Sequence, residues 1–344
     1  MHKDIPWIHL LRGIACLMVV CLHCQTAANF YPLDEGTRHF DSVVSLVTKP
    51  CVPLFFMITG YLILPYKYGN DIMSFYKKRI PRVFFPLIVW GIIYATLPYF
   101  LGMCSAKKMV SEILLSPIKA PQIVGGILWY LFILIGIYLT IPFITERIYV
   151  SKRILQLWLS VWILTSVVYI VKLFVPDILG QNKWVQNFDL TIYFSGYLGY
   201  VLMGYYLHNF QVPLLPELKA LGGGKTIYAI LATLLLAVNW KFELGSSFLA
   251  VGTVALSIDT FLLFKDLKIS PSGLVYHVVV EVSRMSFGIY LSHIFILYAL
   301  TKHLFDIWGN GICVQIGVMA TTFIGAYLLS KCISMFSWKK YIIG

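Results

Sequence analysis

Long apolar runs separated by short polar connections follow one another along the whole chain. Most of the runs approach the roughly 20 apolar residues that an α-helix needs to cross the hydrocarbon core of a bilayer. The seventh run is short and could begin near 218, and the ninth could begin as early as 275. The pattern predicts an all-α, polytopic membrane helical bundle of about ten transmembrane helices, at 7–26, 40–64, 83–101, 123–143, 154–175, 190–207, 226–238, 248–264, 285–300 and 313–330.

Composition supports this prediction and excludes a soluble enzyme. Hydrophobic residues make up 59% of the chain and charged residues only 12%, and the mean hydropathy is +0.80. No polar block is long enough for a soluble domain, so one membrane domain is expected over residues 1–344. The net charge of +12 would suggest nucleic acid as the partner of a soluble protein. Here the cations cluster at helix ends, so the expected partner is the lipid bilayer and not nucleic acid.

The cations also predict an orientation. Cytoplasmic loops of membrane proteins carry an excess of lysine and arginine. With a cytoplasmic N-terminus, the loop around Lys78 is inside, the loops around Glu35 and Lys107 are outside, and both termini are cytoplasmic, as in a multi-pass protein of the cell inner (plasma) membrane. The inner side then carries 18 of the 27 cations: Lys3, Arg12, Lys67, Lys77, Lys78, Arg79, Arg82, Arg147, Lys152, Arg153, Lys219, Lys225, Lys265, Lys268, Arg284, Lys331, Lys339 and Lys340.

The seven cysteines do not suggest a disulfide framework or a metal site. Most of them lie inside or at the ends of apolar runs, as small packing residues do. Cys21 and Cys24 would share one helix face, whereas His23 between them would point roughly 160–200° away. One helix cannot bind a metal with all three side chains, so no metal is expected.

Two ionisable residues in the first run are the leading functional candidates. Arg12 and His23 are eleven residues apart, which brings a helix back to within about 20° of the same direction with a rise of about 16 Å. Such groups are costly in a membrane and usually have a function. The alternatives are a snorkelling arginine and a packed histidine. Other acidic residues are expected near helix ends and receive no role: Asp189, Asp259 and Glu281.

An ordered set of motifs resembles the acyltransferase-three family of membrane acyltransferases, which O-acetylate lipopolysaccharide, capsule and enterobacterial common antigen precursors. The family's arginine, ten residues, then histidine pattern matches Arg12 and His23. Thr59 stands where the family usually has serine. The resemblance covers nearly the full chain in order, through Trp-Ile at 7–8, Leu-Arg-Gly-Ile-Ala at 11–15, Val-Pro-Leu-Phe-Phe-Met-Ile-Thr-Gly at 52–60, Lys-Lys-Arg-Ile-Pro-Arg at 77–82, Leu-Trp-Tyr-Leu at 128–131 and Ser-Phe-Gly-Ile-Tyr-Leu-Ser-His at 286–293.

The resemblance implies a cytoplasmic binding site for the acyl donor. Lys78, Arg79 and Arg82 precede the third apolar run and are similar to the family's Arg-x-x-Arg element. Guanidinium groups suit phosphate oxygens, so these residues would hold the phosphates of acyl-CoA, a co-substrate, and no cofactor would be bound permanently. Thr59 would end a helix on the same side and contribute to the donor site. The alternative for the basic cluster is an ordinary cytoplasmic loop.

The late motifs would line the acceptor site or pore. Trp129 is expected about 9 Å inside its helix, near the depth of His23, where its ring with Tyr130 could stack on a sugar. Tyr290 and His293 share a helix face at i, i+3. The alternatives are a membrane anchor for Trp129 and ordinary packing for the other pair.

The function predicted from these residues and the resemblance is O-acyl transfer. An acyl group, expected to be acetyl, would pass from cytoplasmic acyl-CoA to a hydroxyl of an extracytoplasmic glycan or a lipid-linked saccharide. His23 would act as general base, or as a covalent acyl carrier, and Arg12 would orient the donor. Two rival classes are a polysaccharide exporter or secondary transporter, and a structural membrane scaffold; release of coenzyme A distinguishes an enzyme from an exporter.

Overall fold

The computed structural model describes residues 5–65, 71–120, 126–148, 151–174, 196–210, 224–242, 247–265, 267, 270 and 272–344. Within these residues all regular secondary structure is α-helical, as predicted. The helices are α1 (Pro6–Ala28), α2 (Glu35–Thr48), α3 (Cys51–Ile63), α4 (Ile72–Arg79), α5 (Pro81–Phe100), α6 (Ala106–Leu115), α7 (Trp129–Ile148), α8 (Lys152–Phe174), α9 (Leu198–Asn209), α10 (Gly224–Phe242), α11 (Val251–Lys265), α12 (Leu274–Trp308), α13 (Ile312–Ser334) and α14 (Lys339–Ile342).

Among the described residues, five continuous helical segments are long and apolar enough to cross a membrane. They confirm a helical membrane protein, whereas the count of ten spans stays a prediction. The ninth run follows its earlier alternative, because its helix begins at Leu274. Shorter apolar helices cover Trp129–Ile144 and Thr226–Phe242, and the five long segments are Pro6–Ala28, Glu35–Ile63, Ile72–Phe100, Leu274–Leu300 and Ile312–Ser334.

Several helices begin at side chains suited to cap them. The Asp34 carboxylate accepts a hydrogen bond of 2.6 Å from the Thr37 amide, and Ser105 accepts one from the Lys108 amide at 3.3 Å. Each bond satisfies an amide that has no partner inside its helix. The hydrogen bonds from Thr37 also lower the pKa of the Asp34 carboxyl below its usual range. Polar residues between apolar runs therefore fix where α2 and α6 start.

The chain divides into two compact units. The first contains residues 1–25, 34–67 and 145–283, and the second contains residues 26–33, 68–144 and 284–344. Helices α3 and α9 cross closely in the first unit. A Cβ on Gly60 would lie 1.8 Å from the Val201 carbonyl oxygen, and a Cβ on Gly204 would lie 2.0 Å from that of Met57. Only glycine allows the two backbones to approach this closely.

The second unit contains a similar contact between α12 and α13. A Cβ on Gly288 would lie 2.8 Å from the Ser330 hydroxyl. Ser292, one turn further along α12, donates to the Gly288 carbonyl at 2.9 Å and lies 3.5 Å from the Ser330 hydroxyl. Small residues four apart on one helix thus let the other helix approach. Tyr290 and His293 lie on the opposite side of the same α12 segment.

Candidate functional site

Helix α1 carries both leading candidates, Arg12 and His23. It is continuous from Pro6 to Ala28, so the predicted alignment of the two residues along one face holds. Both side chains are half-buried. From the start of the helix, Arg12 is about 9 Å along the axis and His23 about 26 Å along it.

The hydrogen bond of His23 shows which ring nitrogen carries the proton. Its Nδ1 lies 2.9 Å from the Val19 carbonyl oxygen, one turn earlier in α1. A carbonyl can only accept, so Nδ1 donates the proton of this bond. In the neutral ring Nε2 then carries the lone pair. This is the arrangement that a general base needs.

Helix α1 lies beside α3. Cys16 lies within about 20° of the direction of His23 on the helix. The Cys16 thiol is close enough to that of Cys51, the first residue of α3, for electrostatic interaction. At the other end of both helices, the rings of Trp7 and Tyr61 lie 5.1 Å apart. Helices α1 and α3 are therefore antiparallel neighbours.

The sequence prediction missed a polar contact on the same face of α1. His9 lies seven residues before Cys16, and its Nδ1 is 3.0 Å from the hydroxyl of the buried Ser283 in α12. Seven residues complete almost two turns, so His9 also points toward the face of Arg12. The spacing could have revealed His9, whereas its partner, 274 residues away, could not have been inferred from local sequence.

Lys49 is a second functional candidate that the sequence reasoning missed. That reasoning counts it among the cations of the outer side. In the structure Lys49 lies between α2 and α3, inside the continuous helical segment Glu35–Ile63, and is half-buried. Its ammonium is 5.4 Å from the centre of the Phe248 ring.

The predicted donor-site residue Thr59 lies inside α3 and not at its end. The helix continues four residues further, to Ile63, because those residues are apolar and helix-compatible. The Thr59 hydroxyl donates to the Phe55 carbonyl at 2.9 Å. The neighbouring Gly60 is explained by the close crossing with α9. A role for Thr59 in donor binding stays a prediction.

The basic cluster spans the junction of two helices. Lys77, Lys78 and Arg79 form the last turn of α4, and Arg82 belongs to the first turn of α5. Ile80 between them keeps helical backbone angles, φ −59° and ψ −49°, so the i, i+3 relation of the two arginines is preserved. Lys77, Lys78 and Arg82 are exposed and Arg79 is half-buried. The cluster is accessible to an anionic ligand.

A short helix near the end of the chain extends this basic region. The indole of Trp90 in α5 donates to the Ile342 carbonyl at 2.9 Å, and the Phe85 and Tyr341 rings are 5.1 Å apart. Helix α14 therefore packs on the first half of α5. The exposed Lys339 and Lys340 of α14 thus lie at the same end of the second unit as Arg82. The predicted orientation requires these cations to lie on one side of the membrane.

Three of the four predicted acceptor-site residues are in direct contact. The Tyr130 and Tyr290 rings are 5.5 Å apart at 69°. The Tyr290 hydroxyl donates to the Ile127 carbonyl at 2.6 Å, and Nδ1–H of the fully buried His293 donates to the Tyr290 carbonyl at 2.6 Å. This cluster is tightly constrained.

The position of Trp129 differs from the prediction. It is the first residue of α7 and follows a turn at Gly126–Leu128 in which Gly126 has φ +60°. A backbone conformation suited to glycine ends the helical path there, so Trp129 is not six residues inside the helix. It is half-buried beside Tyr130.

The acidic residues also differ from expectation. Asp259 lies in the middle of α11 and not near its end, because α11 continues to Lys265, and it is only 6% exposed. Glu281 lies inside the long helix α12, and Asp189 is outside the described residues. Within the described part of the chain, no group of three histidine, cysteine, aspartate or glutamate side chains is arranged to hold a metal ion.

Comparison with known proteins identifies a family but no individual relative. No curated protein and no solved structure matches the chain. A family model described as an acyltransferase domain matches residues 5–331, which include every candidate residue named in this section except those of α14. Because this match covers far more than half of the 344 residues, the chain belongs to the acyltransferase-three family of membrane acyltransferases.

Proposed function

We propose that this protein transfers an acyl group, with acetyl as the proposed group, from cytoplasmic acyl-CoA to a hydroxyl of an extracytoplasmic or lipid-linked glycan, as a multi-pass protein of the cell inner (plasma) membrane. The family indicates membrane acyltransferase activity. The observation that carries the proposal is the His23 tautomer, with the lone pair on Nε2, inside a membrane-crossing helix that also carries Arg12. A base at this depth can serve a donor from one side of the membrane and an acceptor from the other.

Acyl transfer to a sugar hydroxyl requires a general base. A thioester is a good acyl donor and a sugar hydroxyl is a poor nucleophile, so the hydroxyl must lose its proton as it attacks. His23 Nε2 takes this proton. The tetrahedral intermediate then expels the coenzyme A sulfur, which receives the proton from His23, and the products are the O-acyl glycan and coenzyme A. Arg12, on the same face and nearer the start of α1, orients the donor.

The basic cluster is the proposed anchor for the donor phosphates. Lys78, Arg79 and Arg82 present three cations at a helix junction, and two of them are exposed. Charge-assisted hydrogen bonds from guanidinium to phosphate are stronger than neutral ones. Thr59 belongs to the proposed donor site as well, although its hydroxyl already donates within α3.

The aromatic cluster is the proposed acceptor site. Trp129 and Tyr130 are half-buried and therefore retain accessible surface, and an aromatic ring is a good platform for a sugar. Tyr290 and His293 are buried and hold the cluster through their hydrogen bonds. In this proposal Trp129 contacts the glycan and Tyr290 keeps Tyr130 in place.

Purified protein in nanodiscs with radiolabelled acetyl-CoA and cell-envelope glycan tests the proposal. We expect stoichiometric release of coenzyme A thiol and transfer of the label to the glycan, with the acylated hydroxyl located by mass spectrometry. Uptake of glycan into sealed vesicles without thiol release would instead support the exporter. A hydroxylamine-sensitive label on the protein in a single turnover would identify the acyl-histidine variant of the mechanism.

A further inference from the structure

The segment that contains α14 has a fixed place in the second unit. The Trp90 indole of α5 donates to the Ile342 carbonyl at 2.9 Å. A Cβ on Gly288 of α12 would lie 3.2 Å from the Ile343 side chain, so the segment contacts α12 as well. A lysine that only sets topology needs no fixed position. The two lysines of α14 have one, because their helix is docked on both neighbours.

One aromatic pair joins α14 to the part of α5 that carries Arg82. The Tyr341 and Phe85 rings are 5.1 Å apart at 85°, and the Lys340 ammonium lies 4.9 Å from the centre of the Tyr341 ring. Phe85 follows Arg82 by three residues, so the two side chains are neighbours on one side of α5. Lys340 and Arg82 therefore flank the same pair of rings, and both are exposed.

The backbones of the two segments are close as well. A Cβ on Gly344 would lie 3.0 Å from the Arg82 carbonyl oxygen and equally close to the Phe287 ring. The Ile343 amide donates to the Lys339 carbonyl at 2.8 Å, which keeps this segment in one compact turn. The cations of α14 and those of the α4–α5 junction thus belong to one surface of the second unit.

This basic surface has no carboxylate paired with its cations. It consists of Lys77, Lys78, Arg79, Arg82, Lys339 and Lys340, and within the described part of the chain none of them forms an ion pair. The acidic residue nearest to α4 in sequence, Asp71, caps that helix by accepting from the Ser74 amide at 3.2 Å. A surface of one charge sign attracts anionic ligands. The arrangement therefore suits a ligand with more than one anionic group.

We propose that Lys340, with Lys339 beside it, binds the 3′-phosphate of the acyl-CoA donor. The inference rests on the proposed function. Coenzyme A carries a diphosphate and, on its ribose, a separate phosphate monoester. Lys78, Arg79 and Arg82 hold the diphosphate, and the lysines across the aromatic pair supply the second group of cations that the monoester requires. A phosphate monoester accepts strong charge-assisted hydrogen bonds from ammonium groups.

The test compares acetyl-CoA with acetyl-3′-dephospho-CoA as donors for the full-length protein. The variants are Lys339→Gln/Lys340→Gln and Lys339→Arg/Lys340→Arg. The matched control is Lys152→Gln/Arg153→Gln, because these are also adjacent, exposed cations on the predicted inner side, but they belong to α8 in the first unit. Thiol release gives kcat and KM for each donor, calorimetry gives Kd for coenzyme A and its dephospho form, and thermal unfolding gives Tm.

The preference for the phosphorylated donor is the decisive quantity. Because both lysines are exposed and solvent screens their charge, the glutamine variant should raise KM for acetyl-CoA by only about tenfold, with kcat unchanged. Its KM for acetyl-3′-dephospho-CoA should equal that of wild type, so the preference disappears. The arginine variant should keep most of the preference, since it keeps the charge, and the control should match wild type.

Three results would overturn the inference. The folded glutamine variant could keep the wild-type preference, or it could lose affinity for both donors equally. It could also change only the response of activity to phosphatidylglycerol in phosphatidylcholine nanodiscs, which would mean that the lysines bind lipid headgroups. Each of these results leaves the proposed function intact if wild type transfers acetyl. A wild type that neither binds coenzyme A nor releases thiol would refute the proposed function, and the role of Lys340 with it.

Discussion

Replacing Gly60 by alanine tests the close crossing of α3 and α9. The added Cβ would lie 1.8 Å from the Val201 carbonyl oxygen, whereas ordinary contacts of this kind begin near 3.4 Å. The obstacle is backbone and cannot rotate away, so the helices must separate by roughly 1.5 Å along that direction. Overpacking of this kind costs about 1–3 kcal/mol or more. Alanine also stabilises a helix by about 0.5–1 kcal/mol relative to glycine, which offsets part of that cost. The net expectation is a clear loss of stability.

Gly136→Ala is the matched control for that substitution. Gly136 lies in α7 on an exposed face, and a Cβ there would meet nothing within 4 Å. It should therefore stabilise the protein by about 0.5–1 kcal/mol, which separates the two variants by roughly 2 kcal/mol. Thermal unfolding in one detergent, with denaturant titration for the free energy, measures the difference. Equal stability of the two variants would mean that α3 and α9 do not cross as closely as described.

Three further outcomes are expected. Arg79→Ala and Arg82→Ala should each raise KM for acetyl-CoA about ten- to a hundredfold, because a charge-assisted contact contributes roughly 1.5–3 kcal/mol. If acetyl-CoA saturates both variants as it does the wild type, the arginines set only the topology. A cysteine introduced at position 78 should be labelled from the cytoplasm, and one at position 107 from outside. The reverse result would exclude a cytoplasmic donor site at Lys78 and contradict the predicted outer position of Lys107. Tyr290→Phe should cost about 1–3 kcal/mol of stability, because it leaves a buried carbonyl without its donor, and unchanged Tm would contradict the 2.6 Å bond.

Local spacing was sufficient to predict the parts of the site that lie on one helix. Arg12 and His23 align because eleven residues make close to three turns, and α1 is continuous. The i, i+3 relation placed Tyr290 and His293 together, and the structure adds the bond between them. Periodicity fixes the relative direction of side chains within a helix, whatever the rest of the fold does.

Contacts between distant segments could not be predicted in the same way. Lys49 lies inside the predicted run 40–64 and was counted with the outer cations; its contact with Phe248, 199 residues away, could not be inferred from local sequence. The docking of Ile342 on Trp90 joins positions 252 residues apart. The glycine at 60 was read as part of a family motif, whereas its close approach to Val201 depends on which helix it meets.

The most direct test of the account is the activity of His23→Ala. Loss of a general base lowers the rate by about 10²–10⁴-fold, whereas loss of a packed histidine chiefly lowers stability and yield. His39→Ala is the control, since His39 is an exposed histidine of α2. Wild type and both variants would be compared for coenzyme A binding by calorimetry and for glycan acylation by mass spectrometry. We expect His23→Ala to fold and bind coenzyme A without acylating glycan, and His39→Ala to behave as wild type; near-normal acylation by folded His23→Ala would contradict the account.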